Sequence, residues 1–548
     1  MSKYDHLTQE QLVALLERRE REAAYGLVWE RDEIETDKHL NDDFVALDLD
    51  QELSQGKAPF QNLIIEGDNF DALRFLRMTH SGKVKCIYID PPYNTGNRDF
   101  VYNDRFFDST NRFRHSVWLE FMYQRLMLAR DLLHPDGAIF VSIDDNEIFP
   151  LGMLMHRVFG EKNFIATNVW QKRYSRENRA AIGDVHEYIL VYAADPDRFK
   201  VARKKLPLGE KQKKVYRNPN SDPKGSWRSV SLSAQGFRPN QMYEIVSPVT
   251  GKIHVPPEGS CWKVIEPEYK RLLSEDRIYF GKDGNAVPSR IQYLKDIEGM
   301  VPWTWWPHEE VGHTDEARKE IQNFFGTQTA FQTPKPVRLI ERILRIATGP
   351  DDLVLDFFAG SGTTAHAVQK LNAEDGGNRR FILVSNSEVT EDEPDKNVCR
   401  EVCAERVRRI ISGYQNKKGD AVEGLGGDFA YLRTRLLPRH RLDVQLEHDQ
   451  VWHALQMLHD HPLTPWNDKS LGWSEEGDHV LVYLADMRAS TVAKVQQQLT
   501  DCQGDVVLYC WTPDRLAAMA PGLEARPIPE TLAERFGRGR KVSRKVEV

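Results

Sequence analysis

The chain has 548 residues, 40% apolar and 28% charged, with a formal net charge of −8. This composition excludes a disordered or fibrous chain, and no apolar run approaches the ~20 residues of a membrane-spanning helix. Six scattered cysteines with no CxxC pair argue against a disulfide scaffold or zinc ribbon and predict a reducing compartment, the cytoplasm.

Residues 1–60 read as a charged, helical lead-in, with no apolar signal core at the start. From 61 the pattern becomes strand and helix in alternation. NLIIEG is a short strand, and Asp68 opens the helix DNFDALRFLRMTH. VKCIYI (84–89) is a buried strand that ends in Asp90, Pro91, Pro92 and Tyr93. A helix over 116–133, the strand AIFVSI, a helix to Phe159 and the strands IATNVW and HEYILVYA follow. Fully apolar strands alternating with helices predict an α/β fold, a doubly wound, mostly parallel sheet.

Alternation stops over 195–330, which is basic at its start and then rich in Gly, Pro and Trp. This predicts an inserted β and loop-rich domain. Residues 198–228 hold eleven Lys/Arg against two acids, a local positive field that suits a polyanion. The basic end, 535–548, reads as a frayed tail. Alternation resumes over 331–425, in PKPVRLIERILRIAT, DLVLDFF, TAHAVQKLNA, RFILVS and one helix over 397–414. The single sheet is therefore split in sequence by the insert. Residues 426–548 read as a small C-terminal α/β domain beyond GLGG.

Two turns carry chemistry. Phe358-Ala359-Gly360-Ser361-Gly362-Thr363 joins a strand ending near Asp356 to a helix. Such glycines let the backbone approach a ligand at a helix N-terminus. No Lys precedes Thr363, so this is no phosphate-binding P-loop. Ala365 weakens a dinucleotide GxGxxG without removing it, and FxGxG suits the methionine end of S-adenosylmethionine. Glu388, after the next strand, suits a ribose diol, although it also belongs to an acidic run.

Asp90-Pro91-Pro92-Tyr93 is the more specific signal. Two prolines stiffen the turn and remove two N–H donors. A carboxylate, a free carbonyl and an aromatic face are then presented together, which suits the exocyclic amine of a nucleobase. Asp90 and the Pro91 carbonyl would accept both amine hydrogens, and Tyr93 would stack.

With DPPYNTG before the insert and DFFAGSGTT after it, the sequence resembles the beta-class adenine-N6 DNA methyltransferases. The resemblance runs over about 60–415 and is nearest to modification subunits of type III restriction-modification systems. It implies methyl transfer from S-adenosylmethionine to N6 of a flipped adenine in double-stranded DNA. It assigns catalysis to Asp90–Tyr93. It assigns cofactor contacts to Asp68, Lys335, Asp356, Phe358, Gly360, Gly362 and Glu388. The insert then reads DNA, with phosphate contacts from Lys204, Lys205, Lys211, Lys213, Lys214 and Arg217, and base-step contacts from Tyr216, Trp227 and Phe237 nearby. Trp303, Trp305 and Trp306 are expected in its core. The resemblance also implies a homodimer and a restriction subunit as partner, or a stand-alone methyltransferase without one. No metal cluster, Walker A lysine or nuclease motif is found. Cytosine N4 is the nearest alternative substrate. A NAD-type oxidoreductase leaves DPPY unexplained, and intact Asp90 and Gly360 speak against an idle DNA-binding chain.

Overall fold

Strands of two to twelve residues, built around short apolar runs, form the central sheet of a computed structural model. The structure describes residues 8–9, 11–13, 29, 43–96, 101–102, 105–106, 114–175, 181–326, 331, 333–389, 395–500, 502 and 504–537. Most of the predicted helical lead-in, and 538–548 of the basic tail, lie outside these residues.

Ten strands make this sheet: β1 (Phe44–Gln55), β2 (Leu63–Glu66), β3 (Val84–Ile89), β4 (Leu133–Ile143), β5 (Phe164–Gln171), β6 (His186–Ala193), β7 (Trp305–Trp306), β8 (Leu353–Asp356), β9 (Arg380–Ser385) and β10 (Phe429–Leu437). Their order across the sheet is β1-β10-β2-β9-β8-β3-β4-β6-β5-β7. All neighbours pair in parallel except β1 with β10 and β6 with β4 and β5. The doubly wound, mostly parallel α/β sheet expected from the alternation is therefore present.

The helices α1 (Asn69–His80), α2 (Arg114–Leu132) and α3 (Ile148–Phe159) pack on one another. A second layer holds α4 (Val337–Ala347), α5 (Thr363–Asp375) and α6 (Glu405–Ser412). The core between strands and the first layer includes Ile65, Leu73, Ile87, Trp118, Leu126 and Val141, all buried. α4 begins after Pro336, which lacks the N–H a first turn leaves unpaired. β8 and β3 are adjacent, with Val354 opposite Cys86. Chain order reverses there, so their carboxyl ends flank a switch point, where open α/β sheets hold ligands.

Three boundaries differ from the sequence reading. Residues 44–55, expected in a helical extension, are β1. Phe44 to Leu47 is a fully buried apolar run that pairs with β10. β10 itself, expected in a separate C-terminal domain, adds to the main sheet beside β2. The insert narrows to a compact unit of Lys205–Pro302, the rest forming the other unit. The helices Pro196–Ala202 and Thr314–Phe325 belong with the sheet, because Phe199, Ile321 and Phe324 are buried there. The segment 397–414 is not one α-helix: Cys399–Ala404 is a π-helical turn leading into α6.

The 205–302 unit is built from short antiparallel pairs, including Ile278–Tyr279, Ser289–Tyr293 and Trp227–Ser231. Leu232, Ile245, Trp262, Tyr269 and Phe280 make its core. The β-rich, looped character predicted for the insert is thus observed. Farther along the first unit, Leu471–Glu476, His479–Leu484, Asp505–Cys510 and Arg526–Pro527 form a four-stranded sheet.

Candidate active site

β3 ends at Ile89, and the chain turns at once through the two prolines. The indole of Trp118 donates to the Pro92 carbonyl at 2.7 Å, tying the corner to α2. Among the described residues no donor engages the Pro91 carbonyl. The side chain of Asp90 keeps 22% of its surface exposed. Its Oδ1 accepts from the Tyr93 hydroxyl at 2.8 Å, and both its oxygens accept from Lys335 Nζ, at 2.8 and 2.7 Å. The same ammonium is 2.9 Å from the Tyr93 oxygen and 3.4 Å from Glu187 Oε2. Glu187, second residue of β6, also accepts from the Tyr93 hydroxyl at 3.0 Å. One hydroxyl proton serves the two carboxylates alternately. Burial pushes the Asp90 carboxyl up, against the pull of Lys335. Burial pulls Lys335 down, yet Asp90 and Glu187 carry it above its usual value.

The second turn lies beyond β8. Gly360 and Gly362 have φ of +48° and +73°, which L side chains rarely adopt. A Cβ on Gly362 would stand 3.1 Å from the Cys403 carbonyl of the π-turn, a feature common at functional sites. Cys399 and Cys403 are core, as expected. Asp356, expected at the cofactor, is 3% exposed and lies under the turn. It accepts from Thr364 Oγ1 at 2.5 Å and from the Phe358 amide at 3.1 Å. Burial raises it to about 7. The buried Arg406 guanidinium donates to the Ser361 carbonyl and to Thr363 Oγ1, at 3.3 and 2.9 Å.

Asp68 caps α1 by accepting from Phe70 N at 2.7 Å, and Arg125 Nη2 meets both its oxygens at 3.1–3.2 Å. Glu388 follows β9 with a half-exposed side chain 3.6 Å from Lys396 Nζ. Phe358 is partly buried, 6.0 Å from the Phe121 ring. Lys335, expected at the cofactor, lays its side chain on Asp90, where that buried carboxylate and Glu187 hold the ammonium.

Sequence reasoning missed Glu187, Trp118 and Arg406, which sit in strand or helix text that reads only as core. It also missed the pair Asn94–Glu147, joined at 2.6 Å and buried behind the corner. Asn94, directly after Tyr93, has φ +57°, and burial raises Glu147.

In the basic run, Lys204, Lys213, Lys214 and Arg217 are exposed. Lys205 pairs with Glu298 at 2.7 Å and Lys213 with Glu210 at 2.9 Å. Lys211 lies in the short helix Glu210–Lys213. Tyr216 and Trp227, expected at base steps, are buried core of the insert unit, while Phe237 is 73% exposed. Of the tryptophans expected in the core of the insert, Trp306 is buried in the main sheet instead, as part of β7, and Trp303 and Trp305 are exposed at 56% and 44%.

A family profile described as DNA methylase, of the N6/N4 type, matches residues 84–389, more than half of the chain. The chain belongs to that family. It is 38% identical over 387 residues to the Mod subunit of the type III restriction-modification enzyme StyLTI of Salmonella typhimurium, covering 64% of this chain and 57% of that one. It is 34% identical over 348 residues to the type II methyltransferase M.KpnI of Klebsiella pneumoniae, covering 59% and 80%. The chain spans less than two thirds of the type III subunits it matches. A solved putative DNA modification methylase of Thermus thermophilus, complexed with S-adenosylmethionine, matches at 14% identity and TM-score 0.29, over 60% of this chain and 90% of that one.

S-adenosylmethionine is the methyl donor such a family uses, and the residues present fit it. The Gly turn at the helix N-terminus offers backbone without Cβ, Phe358 an aromatic wall, and Asp68 and Glu388 exposed carboxylates for the polar edges of an adenosyl group. Among the described residues no cluster could hold a metal ion.

Proposed function

We propose that this chain methylates N6 of adenine in double-stranded DNA, as the modification subunit of a type III restriction-modification system. The observation that carries the reading is the pairing of adjacent strands: β3 presents Asp90–Tyr93 and β8 presents the Gly turn, side by side at one sheet edge. When bound, S-adenosylmethionine supplies an electrophilic methyl group on a sulfonium. Asp68, Phe358, Gly360, Gly362 and Glu388 hold it.

Asp90 and the Pro91 carbonyl act on the amine. The N6 lone pair is delocalised into the adenine ring. Two acceptors, one per hydrogen, favour a pyramidal nitrogen and localise that pair. The acceptors stand in a stiff frame: proline fixes φ, and Trp118 anchors the next carbonyl. Asp90 orients and holds the proton side of N6; no covalent enzyme intermediate is needed. N6 lies in the major groove of a stacked pair, so the base must be flipped to reach this corner, at ~2–4 kcal/mol. Exposed Lys214 and Arg217 of the insert supply phosphate contacts. The partners are DNA, a second copy of the chain, and a restriction subunit for the ATP-driven and cleavage steps; the place of work is the cytoplasm.

Incubation with duplex DNA and methyl-labelled cofactor, followed by nucleoside analysis, tests the reading. N6-methyladenine is expected. N4-methylcytosine would overturn the base assignment, and an unlabelled duplex the activity.

A further inference from the structure

Lys335 crowds the corner. Its ammonium has three N–H donors and stands within 3.4 Å of both Asp90 oxygens, the Tyr93 oxygen and Glu187 Oε2. The ion therefore occupies one of the two acceptors that an exocyclic amine requires, the Asp90 carboxylate, and leaves the Pro91 carbonyl open. It also places a full positive charge beside a nitrogen that gains positive charge as it is methylated, which low-dielectric surroundings make costly. An ammonium on Asp90 competes with a seated amine for that carboxylate.

The neighbourhood offers the ammonium a second carboxylate. Glu187 is 12% exposed, and Lys172 Nζ lies 3.6 Å from it on the far side, itself bound to Asp184 at 2.7 Å. A rotation of the flexible Lys335 stem would shorten the 3.4 Å contact to a full hydrogen bond. Tyr93 already donates toward both carboxylates, so its hydroxyl can follow either way.

We infer that Lys335 has two berths, Asp90 while the amine site is empty and Glu187 once a base is seated, which makes Glu187 a positioning residue for methyl transfer. The inference rests on the reading above and deepens it. The charges support it: Asp90, Glu187 and Asp184 face Lys335 and Lys172, so the cation leaves one carboxylate only for another. Asp90 then keeps the Tyr93 hydroxyl and gains one amine hydrogen, the Pro91 carbonyl taking the other.

The test uses the full chain, a duplex substrate and labelled cofactor. Glu187→Gln removes the second berth and keeps the volume. It is expected to leave cofactor Kd within about two-fold, raise KM for DNA and lower kcat at least ~10-fold, with Glu187→Asp recovering most of the loss. Lys335→Met removes the mobile cation. Among the described residues Asp90 then faces Tyr93 and Glu187 at close range, with Tyr88 and Asp356 farther off, so the acid limb of its kcat/KM profile is expected to move to higher pH. Wild-type kcat and KM in Glu187→Gln, or an unmoved acid limb in Lys335→Met, overturns the two berths while leaving the transferase reading intact. A wild-type chain that methylates no DNA base overturns the reading, and the inference with it.

Discussion

Trp118 Nε1 donates to the Pro92 carbonyl across 2.7 Å, from near the start of α2 to the proline corner of the site. Trp118 is wholly buried. Its indole therefore sets the height of the corner, since Pro91 and Pro92 have no N–H of their own to anchor. Trp118→Phe keeps a buried ring and deletes the donor. Loss of this hydrogen bond is expected to cost about 1–2 kcal/mol in urea unfolding. Methyl transfer should slow by roughly ten-fold through kcat, with cofactor Kd unchanged. A wild-type kcat would show that the prolines alone hold the corner.

Asp90→Ala is expected to abolish transfer, by more than ~100-fold, while calorimetry still finds cofactor binding. The acceptor is lost, but the Gly turn across the strand pair is untouched. Lys335 keeps Glu187 as a partner, so the chain should fold. Full-rate methylation by this variant would contradict the role given to the carboxylate.

Asp356 gives a stability prediction with a definite sign. Burial raises its folded pKa to about 7, above the unfolded value. The folded state thus holds the proton more tightly. This contribution is complete below about pH 4, falls as pH rises, and is gone above the folded pKa. Asp356→Asn removes the titration. Between about pH 5 and pH 8 the wild type should lose on the order of 1–3 kcal/mol relative to the variant, read from urea midpoints. Parallel pH curves for the two proteins would refute the assignment.

Gly362→Ala tests the cofactor turn. The position has φ +73°, and the new methyl would press on the Cys403 carbonyl at 3.1 Å and its sulfur at 3.3 Å. Left-handed backbone alone costs about 1–2 kcal/mol for a residue with Cβ. A lower Tm and a cofactor Kd raised by about ten-fold are expected, measured by thermal unfolding and calorimetry. Unchanged affinity would place the cofactor away from this turn.

Much of the catalytic half was legible because its signals are local. The strand of 84–89 and that of 186–193 fall where their apolar runs do, and Asp68 caps its helix through its own side chain. What escaped the sequence depends on partners far along the chain. Residues 44–55 become a strand because residues 429–437 pair with them. Tyr216 and Trp227 look like base-stacking aromatics beside lysines until the insert closes a small core around them. Lys335 sits in a segment whose pattern suggests cofactor contact. Its destination is set by two acids, one 245 residues earlier, that no spacing rule connects to it.

The placement of β10 between β1 and β2 bears on how the enzyme can be cut down. A fragment that stops after the last motif-bearing helix would leave β2 paired on one side alone, with β9, and strand β1 with no neighbour. The bare rim of β2 would then invite another molecule to complete it, so shortened versions are expected to clump rather than fold into a smaller methylase.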